Sequence, residues 1–114
     1  MEAVSHDGRT TAYRLAGDPV DGRVTLAVHG SGATHRLWAP QYGPDGPRPF
    51  AAVDLSGHGD STDVDTTPGS ETLSAYVADV AAVADAVEAD VLVGNSLGGA
   101  VVLQAALDGA VDPA

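Results

Sequence analysis

Short apolar blocks separated by polar, glycine-rich stretches run along this chain, and their period changes part-way. Thr10 to Leu15 alternates loosely at period two and reads as a strand. Arg23-Val24-Thr25-Leu26-Ala27-Val28 is apolar nearly throughout, the pattern of a strand covered on both faces. Phe50 to Val53 and Val91 to Val93 read as two more strands. Over residues 71–88 the period becomes helical. Leu73, Tyr76, Val77, Val80, Val83, Ala84 and Val87 recur at three and four and make one apolar stripe, with Asp79, Asp85 and Glu88 expected off it. Ser70 suits the N-cap and Glu71 the positive end of that helix. A last helix is expected over about 97–108, stopped by Gly109 with Pro113 beyond. Residues 33–42 suit a short helix with Leu37 and Trp38 facing inward. Gly17-Asp18-Pro19, Asp21-Gly22, the Pro/Gly-rich run from Pro40 to Pro49 and the acidic stretch ending at Gly69 read as loops. Val4 and the polar residues after it are too few to classify.

Strands alternating with helices predict an α/β fold with a mostly parallel sheet flanked by helices. In such sheets sites gather beyond the carboxyl ends of the strands. Three glycine-rich motifs fall there: His29-Gly30-Ser31-Gly32 after Val28, Asp54-Leu55-Ser56-Gly57-His58-Gly59-Asp60-Ser61 after Val53, and Gly94-Asn95-Ser96-Leu97-Gly98 after Val93. The last is a G-x-S-x-G between an apolar strand and an apolar helix, the context a nucleophile elbow needs. There a serine sits on a strained turn with Oγ pushed out of the sheet. Gly94 and Gly98 are required because a Cβ at either would strike the neighbouring strand or helix. The Leu97 amide lies at a helix N-terminus and can face a developing oxyanion, and the Ser31 amide can join it. Losing one such donor costs on the order of 3 kcal/mol of transition-state stabilisation. The plain alternative is that Ser96 merely caps the helix.

Two other readings compete at these motifs. Gly30-x-Gly32 after a strand also begins a dinucleotide fingerprint, with Asp54 where a ribose-binding acid would sit, but the third glycine position holds His35. Asp54 and His58 suit local structural hydrogen bonding better than chemistry.

The order of the three motifs resembles the α/β-hydrolase superfamily, closest to its small esterase, lipase and carbon–carbon hydrolase branch, from about Thr10 to Gly109. The resemblance implies Ser96 as nucleophile and the Ser31 and Leu97 amides as oxyanion hole. It implies hydrolysis of an ester, acyl or related C–C bond in a small-molecule substrate, with no cofactor. It also implies a triad ordered serine, acid, histidine. After Ser96 only 18 residues remain, with Asp108 and Asp112 and no histidine. At roughly 1.5 Å per helical residue, Asp108 lies about 18 Å from the elbow, too far to serve. His6, His29, His35 and His58 all precede the serine. His29, ending a strand beside the elbow strand, is the one stand-in base to weigh, and the resemblance makes it structural. Residues 1–114 thus read as one incomplete domain, the N-terminal part of an α/β-hydrolase fold with its C-terminal strands missing. The strand at 91–93 becomes an exposed edge, open to a complementing C-terminal segment or to self-association. The alternative is a non-catalytic truncated remnant or interaction module.

Charge adds to this picture. Sixteen acids, thirteen of them Asp, face five bases, all Arg, for a formal net charge of −11. Such a surface repels nucleic acid and anionic membranes. It suits the salt-rich cytoplasm of a halophile, where salt screens the repulsion; a GC-rich genome is the plainer account of the Asp excess, but would raise Arg as well. There is no cysteine, which excludes disulfides, thiolate metal sites and a cysteine nucleophile. The histidines are too scattered to suggest a metal site. No apolar run is long enough to span a bilayer, and no signal peptide is visible at the N-terminus, so a cytoplasmic location is expected.

Overall fold

The structure, a computed structural model, describes residues 1–6, 8–18, 20, 22–42, 46, 48–61, 70–109 and 111. The acidic loop read over 62–69, Pro19, Asp21, the core of the Pro/Gly-rich run and Pro113 lie outside the described residues, as do the side chains of Ser70 and Glu71. Five strands form one sheet: β1 (Glu2–His6), β2 (Arg9–Ala16), β3 (Val24–Val28), β4 (Phe50–Val53) and β5 (Ala89–Gly94), in the order β1-β2-β4-β3-β5. The three strands that carry the glycine motifs, β4, β3 and β5, pair in parallel. β1 and β2 form an antiparallel hairpin, and β2 pairs antiparallel with β4. The sheet is therefore mixed, parallel where the motifs gather. β1 is the strand the sequence left unclassified. Its residues are mostly exposed on a sheet edge, so they carry no apolar alternation to read.

Period two sorts the strand side chains onto two faces. Val24, Leu26 and Val28 of β3, with Ala51 and Val53 of β4, face the helices α1 (Ser70–Val87) and α2 (Leu97–Leu107). Ala27, Phe50 and Ala52 face the other way, under Trp38 and Tyr42 of a 3-10 helix, His35–Tyr42. Val80, Val83, Val87, Val101 and Ala105 complete the larger core.

Two expectations are corrected by the geometry. Leu37 does not face inward; it is 44% exposed. In a 3-10 turn positions i and i+3 eclipse, so His35 and Trp38 share the sheet-facing side and Leu37 turns to solvent. Asp79 does not lie off the α1 stripe; it is fully buried. It sits three residues after Tyr76 and four before Val83, on the core face. Its Oδ2 accepts hydrogen bonds from the Ser56 amide (2.8 Å) and hydroxyl (2.6 Å), and its Oδ1 from the Thr11 hydroxyl (3.2 Å). Arg9 and His6 approach the same oxygen at 3.4 and 3.2 Å. This carboxylate ties the loop after β4 to α1 and to the β1–β2 hairpin.

β4 lies on one side of β3 and β5 on the other, so the chain reverses its direction of travel across the sheet at β3. The crevice beyond the carboxyl ends of β3 and β5 is the topological switch point, where open α/β sheets place their ligands. Among the described residues β5 ends the sheet on that side, with Val91 and Val93 each 38% exposed, as expected of an apolar edge strand.

Candidate active site

The chain turns from β5 into α2 within two residues, and Ser96 takes the strain. Its φ of 55° and ψ of −114° lie in backbone space that L side chains rarely enter. A backbone outlier of this kind costs about 1–3 kcal/mol and persists only where its surroundings over-determine it. Here they do. The Asn95 amide donates to Val28 O at 3.1 Å, which ties the turn to the end of β3. Gly98 and Gly99 donate to Asn95 O and Ser96 O at 2.9 and 3.0 Å, which start the helix. A Cβ on Gly98 would run into the Val28 carbonyl of β3, and one on Gly94 into the backbone of Gly98 and Gly99. Both glycines are thus required for the reason read from the sequence.

Ser96 stands at the N-cap position of α2, yet its side chain makes no capping hydrogen bond, and the residue is exposed. The capping account of this serine therefore has no bond to support it. Leu97 follows as the first helical residue, and its amide is one of the donors that a helix start leaves without an intrahelical acceptor.

The loop after β3 lies against this turn. A Cβ on Gly30 would stand 3.3 Å from Asn95 O and 3.4 Å from the Ser96 Cβ, a tight fit that shows how closely this loop backs onto the turn. Ser31 is exposed in the tight turn that follows, closed by Ala33 N to Gly30 O at 3.2 Å. Ser31, Ser96 and Leu97 are therefore gathered at one end of the sheet.

None of the histidines is joined to Ser96 by a hydrogen bond among the described residues. His29 is fully buried, and both ring nitrogens are engaged. Nδ1–H donates to Gly30 O (2.7 Å), and Nε2 accepts the Leu55 amide (3.1 Å). Burial pushes its pKa below the ordinary 6.5, with the Gly30 carbonyl only partly opposing. A neutral imidazole without a spare nitrogen is a structural group, not a base. His35 Nδ1 donates to the buried Asp54 carboxylate at 2.9 and 3.0 Å. Asp54 also accepts the amides of His35 (2.7 Å) and Asp60 (3.1 Å). Its oxygens are spent on the loop, which removes the ribose-binding role a dinucleotide site would require. His58 likewise bonds to backbone on both sides: Nδ1–H to Ser56 O (2.9 Å), Nε2 from the Gly32 amide (3.2 Å). Asp79 is the buried polar residue that sequence reasoning missed. Its position on the helical stripe was the available signal. Among the described residues no group of three or more His, Asp or Glu could hold a metal ion, and no helix is long and apolar enough to cross a membrane.

The model of the "Alpha/beta hydrolase family" matches residues 26–113. No curated protein sequence matches significantly. Among solved structures, an enzyme described as degrading N-acyl homoserine lactones is 30% identical with a TM-score of 0.78; the match covers 94% of this chain and 40% of that one. An esterase from Rhodococcus sp. ECU1013 is 30% identical with a TM-score of 0.76, covering 96% and 41%. An epoxide hydrolase from Vigna radiata is 26% identical with a TM-score of 0.77, covering 93% and 33%. The chain thus spans about two-fifths or less of the length of these solved structures.

Proposed function

This chain belongs to the alpha/beta hydrolase family, and on that premise we propose that it is the nucleophile-bearing part of a serine hydrolase. Ser96 Oγ attacks the carbonyl of a small-molecule ester, acyl or related C–C substrate. The amides of Ser31 and Leu97 receive the negative charge that develops on the carbonyl oxygen. A general base must take the Ser96 proton, because an unassisted serine hydroxyl is a weak nucleophile. No residue described here is placed to do so, and the proposed source is a complementing C-terminal segment that adds to the sheet at β5. The observation that carries this reading is the backbone of Ser96. A serine at φ 55° between two glycines that admit no Cβ, with no capping bond to make, has no structural role that would hold it there.

The test is esterase turnover in a protein that joins this chain to a C-terminal hydrolase segment. Ser96→Ala should lower kcat by about a thousand-fold or more, as removal of a nucleophile does. Full activity in Ser96→Ala would overturn the assignment. A second reading is that the 114-residue chain by itself is non-catalytic, a remnant or interaction module. It is favoured by one observation: the ring nitrogens of His29 and His58, which flank the loops after β3 and β4, are all spent on backbone groups. Ser96-dependent turnover by the isolated chain would sink it. We further propose a cytoplasmic setting rich in salt, in keeping with the charge of −11.

A further inference from the structure

We infer that His58 is a positioning residue for the Ser31 amide: it fixes the Gly30–Ala33 turn by accepting the Gly32 N–H across the gap between two loops. The functional meaning of this rests on the proposed role of Ser31; the geometry does not.

The Gly30–Ala33 turn closes through Ala33 N to Gly30 O at 3.2 Å, with Gly32 at φ +78° in the third position, as a type II turn requires. The central peptide of such a turn, between Ser31 and Gly32, flips at little steric cost because glycine has no Cβ. A flip changes ψ of Ser31 and φ of Gly32 in compensation, so what an anchor on this peptide fixes is the seat of the whole Gly30–Ala33 turn, Ser31 N–H included, against the loop after β4. The N–H of that same central peptide is the one held at 3.2 Å by His58 Nε2. Among the described residues this is the one hydrogen bond that ties Gly32 to another loop.

His58 is itself oriented. Ser56 O can only accept, so Nδ1 carries the proton that reaches it at 2.9 Å, and Nε2 is left bare to accept. His29 mirrors the arrangement from the opposite loop, donating by Nδ1 to Gly30 O and accepting the Leu55 amide at Nε2. The two rings lie 4.9 Å apart. Each loop thus lends the other one imidazole, and the pair cross-links the loops after β3 and β4. His29 holds the buried end; His58, only half-buried, holds the end that carries Ser31.

The test uses the 15N-labelled 114-residue chain and the variants His58→Gln and His58→Leu. Glutamine can offer an acceptor where Nε2 stood; leucine fills space and offers none. In the unmodified chain the His58 nitrogen shifts should report a bare Nε2 and a protonated Nδ1. In His58→Leu, Gly32 amide exchange should accelerate about ten-fold or more and the Ser31 amide resonance should move. In His58→Gln, Gly32 exchange should stay within about three-fold of the parent, with Leu26 and Val28 of β3 unchanged in each protein as the control for folding. Equal acceleration in Gln and Leu, or none in Leu, would overturn the inference, and so would an Nε2-protonated His58 in the unmodified chain. That last measurement decides even if the leucine variant fails to fold. Retained activity in Ser96→Ala would remove the functional meaning of the turn but leave the Gly32 pattern intact, so the two failures read differently.

Discussion

Ser96 is held where serine is uncomfortable, and relief of that discomfort is measurable. Glycine tolerates φ 55° freely, whereas alanine keeps the strain and loses only the hydroxyl. Ser96→Gly should therefore unfold at a higher denaturant concentration than Ser96→Ala, with a difference of about 1 kcal/mol. Equal midpoints would mean that the turn is not strained. His29 gives the second residue-scale prediction. Its folded pKa lies below the unfolded value of 6.5 because burial disfavours the imidazolium. As pH falls through 6.5 the unfolded chain takes up a proton that the folded chain refuses, so stability present above 6.5 is lost on acidification. Denaturation midpoints at pH 7.5 and 5.5 should show this loss, and His29→Gln should show less of it. At this scale the sequence was legible wherever steric need leaves a mark. Gly94 and Gly98 announced the elbow, and Ser96 stands on it. It was not legible where a charge is buried, because Asp79 on a helix looks the same whether its partners are water or the Ser56 amide and the Thr11 hydroxyl.

At the scale of elements, the strands and helices that carry a period were readable, and the misread pieces were those whose period is short or absent. The β3, β4, α1, β5 and α2 segments lie within a residue or two of where apolar spacing puts them. In the 3-10 helix Trp38 faces inward as expected and Leu37 does not, since neighbouring residues diverge around a helix while the three-residue repeat puts His35 and Trp38 together on the sheet. The consequence separates cleanly in mutants. Leu37→Glu should leave stability within about 0.5 kcal/mol, as surface changes do. Trp38→Ala should cost about 2 kcal/mol, because Trp38 packs against the Phe50 cluster with its ring 6.3 Å from the phenyl. Chemical denaturation of the two variants checks both, and a large loss in Leu37→Glu would contradict the assigned face. β1 was invisible because an exposed edge strand buries too little to impose alternation on its residues.

The whole molecule is governed by two surfaces, one charged and one apolar. A net charge of −11 on 114 residues makes the folded chain repel itself in dilute buffer. Its unfolding midpoint should rise steeply between about 0.05 and 0.5 M KCl, where the Debye length contracts from roughly 14 Å to 4 Å. A midpoint unchanged over that range would remove the electrostatic reading. The apolar surface lies around β5 and α2, where Val91, Val93, Leu103 and Leu107 stand exposed and Val91 and Leu103 line a groove of about 430 Å³ between the two elements. The strand order gives that edge a meaning in time as well as in space. β5 is the last of the five described strands to be synthesised, and it docks at the rim on β3 rather than between strands already paired. β5 can therefore be laid against β3 as the polypeptide emerges, with no finished pairing to break. An unpaired apolar rim can also take the wrong neighbour, so the time it spends open is a hazard during synthesis.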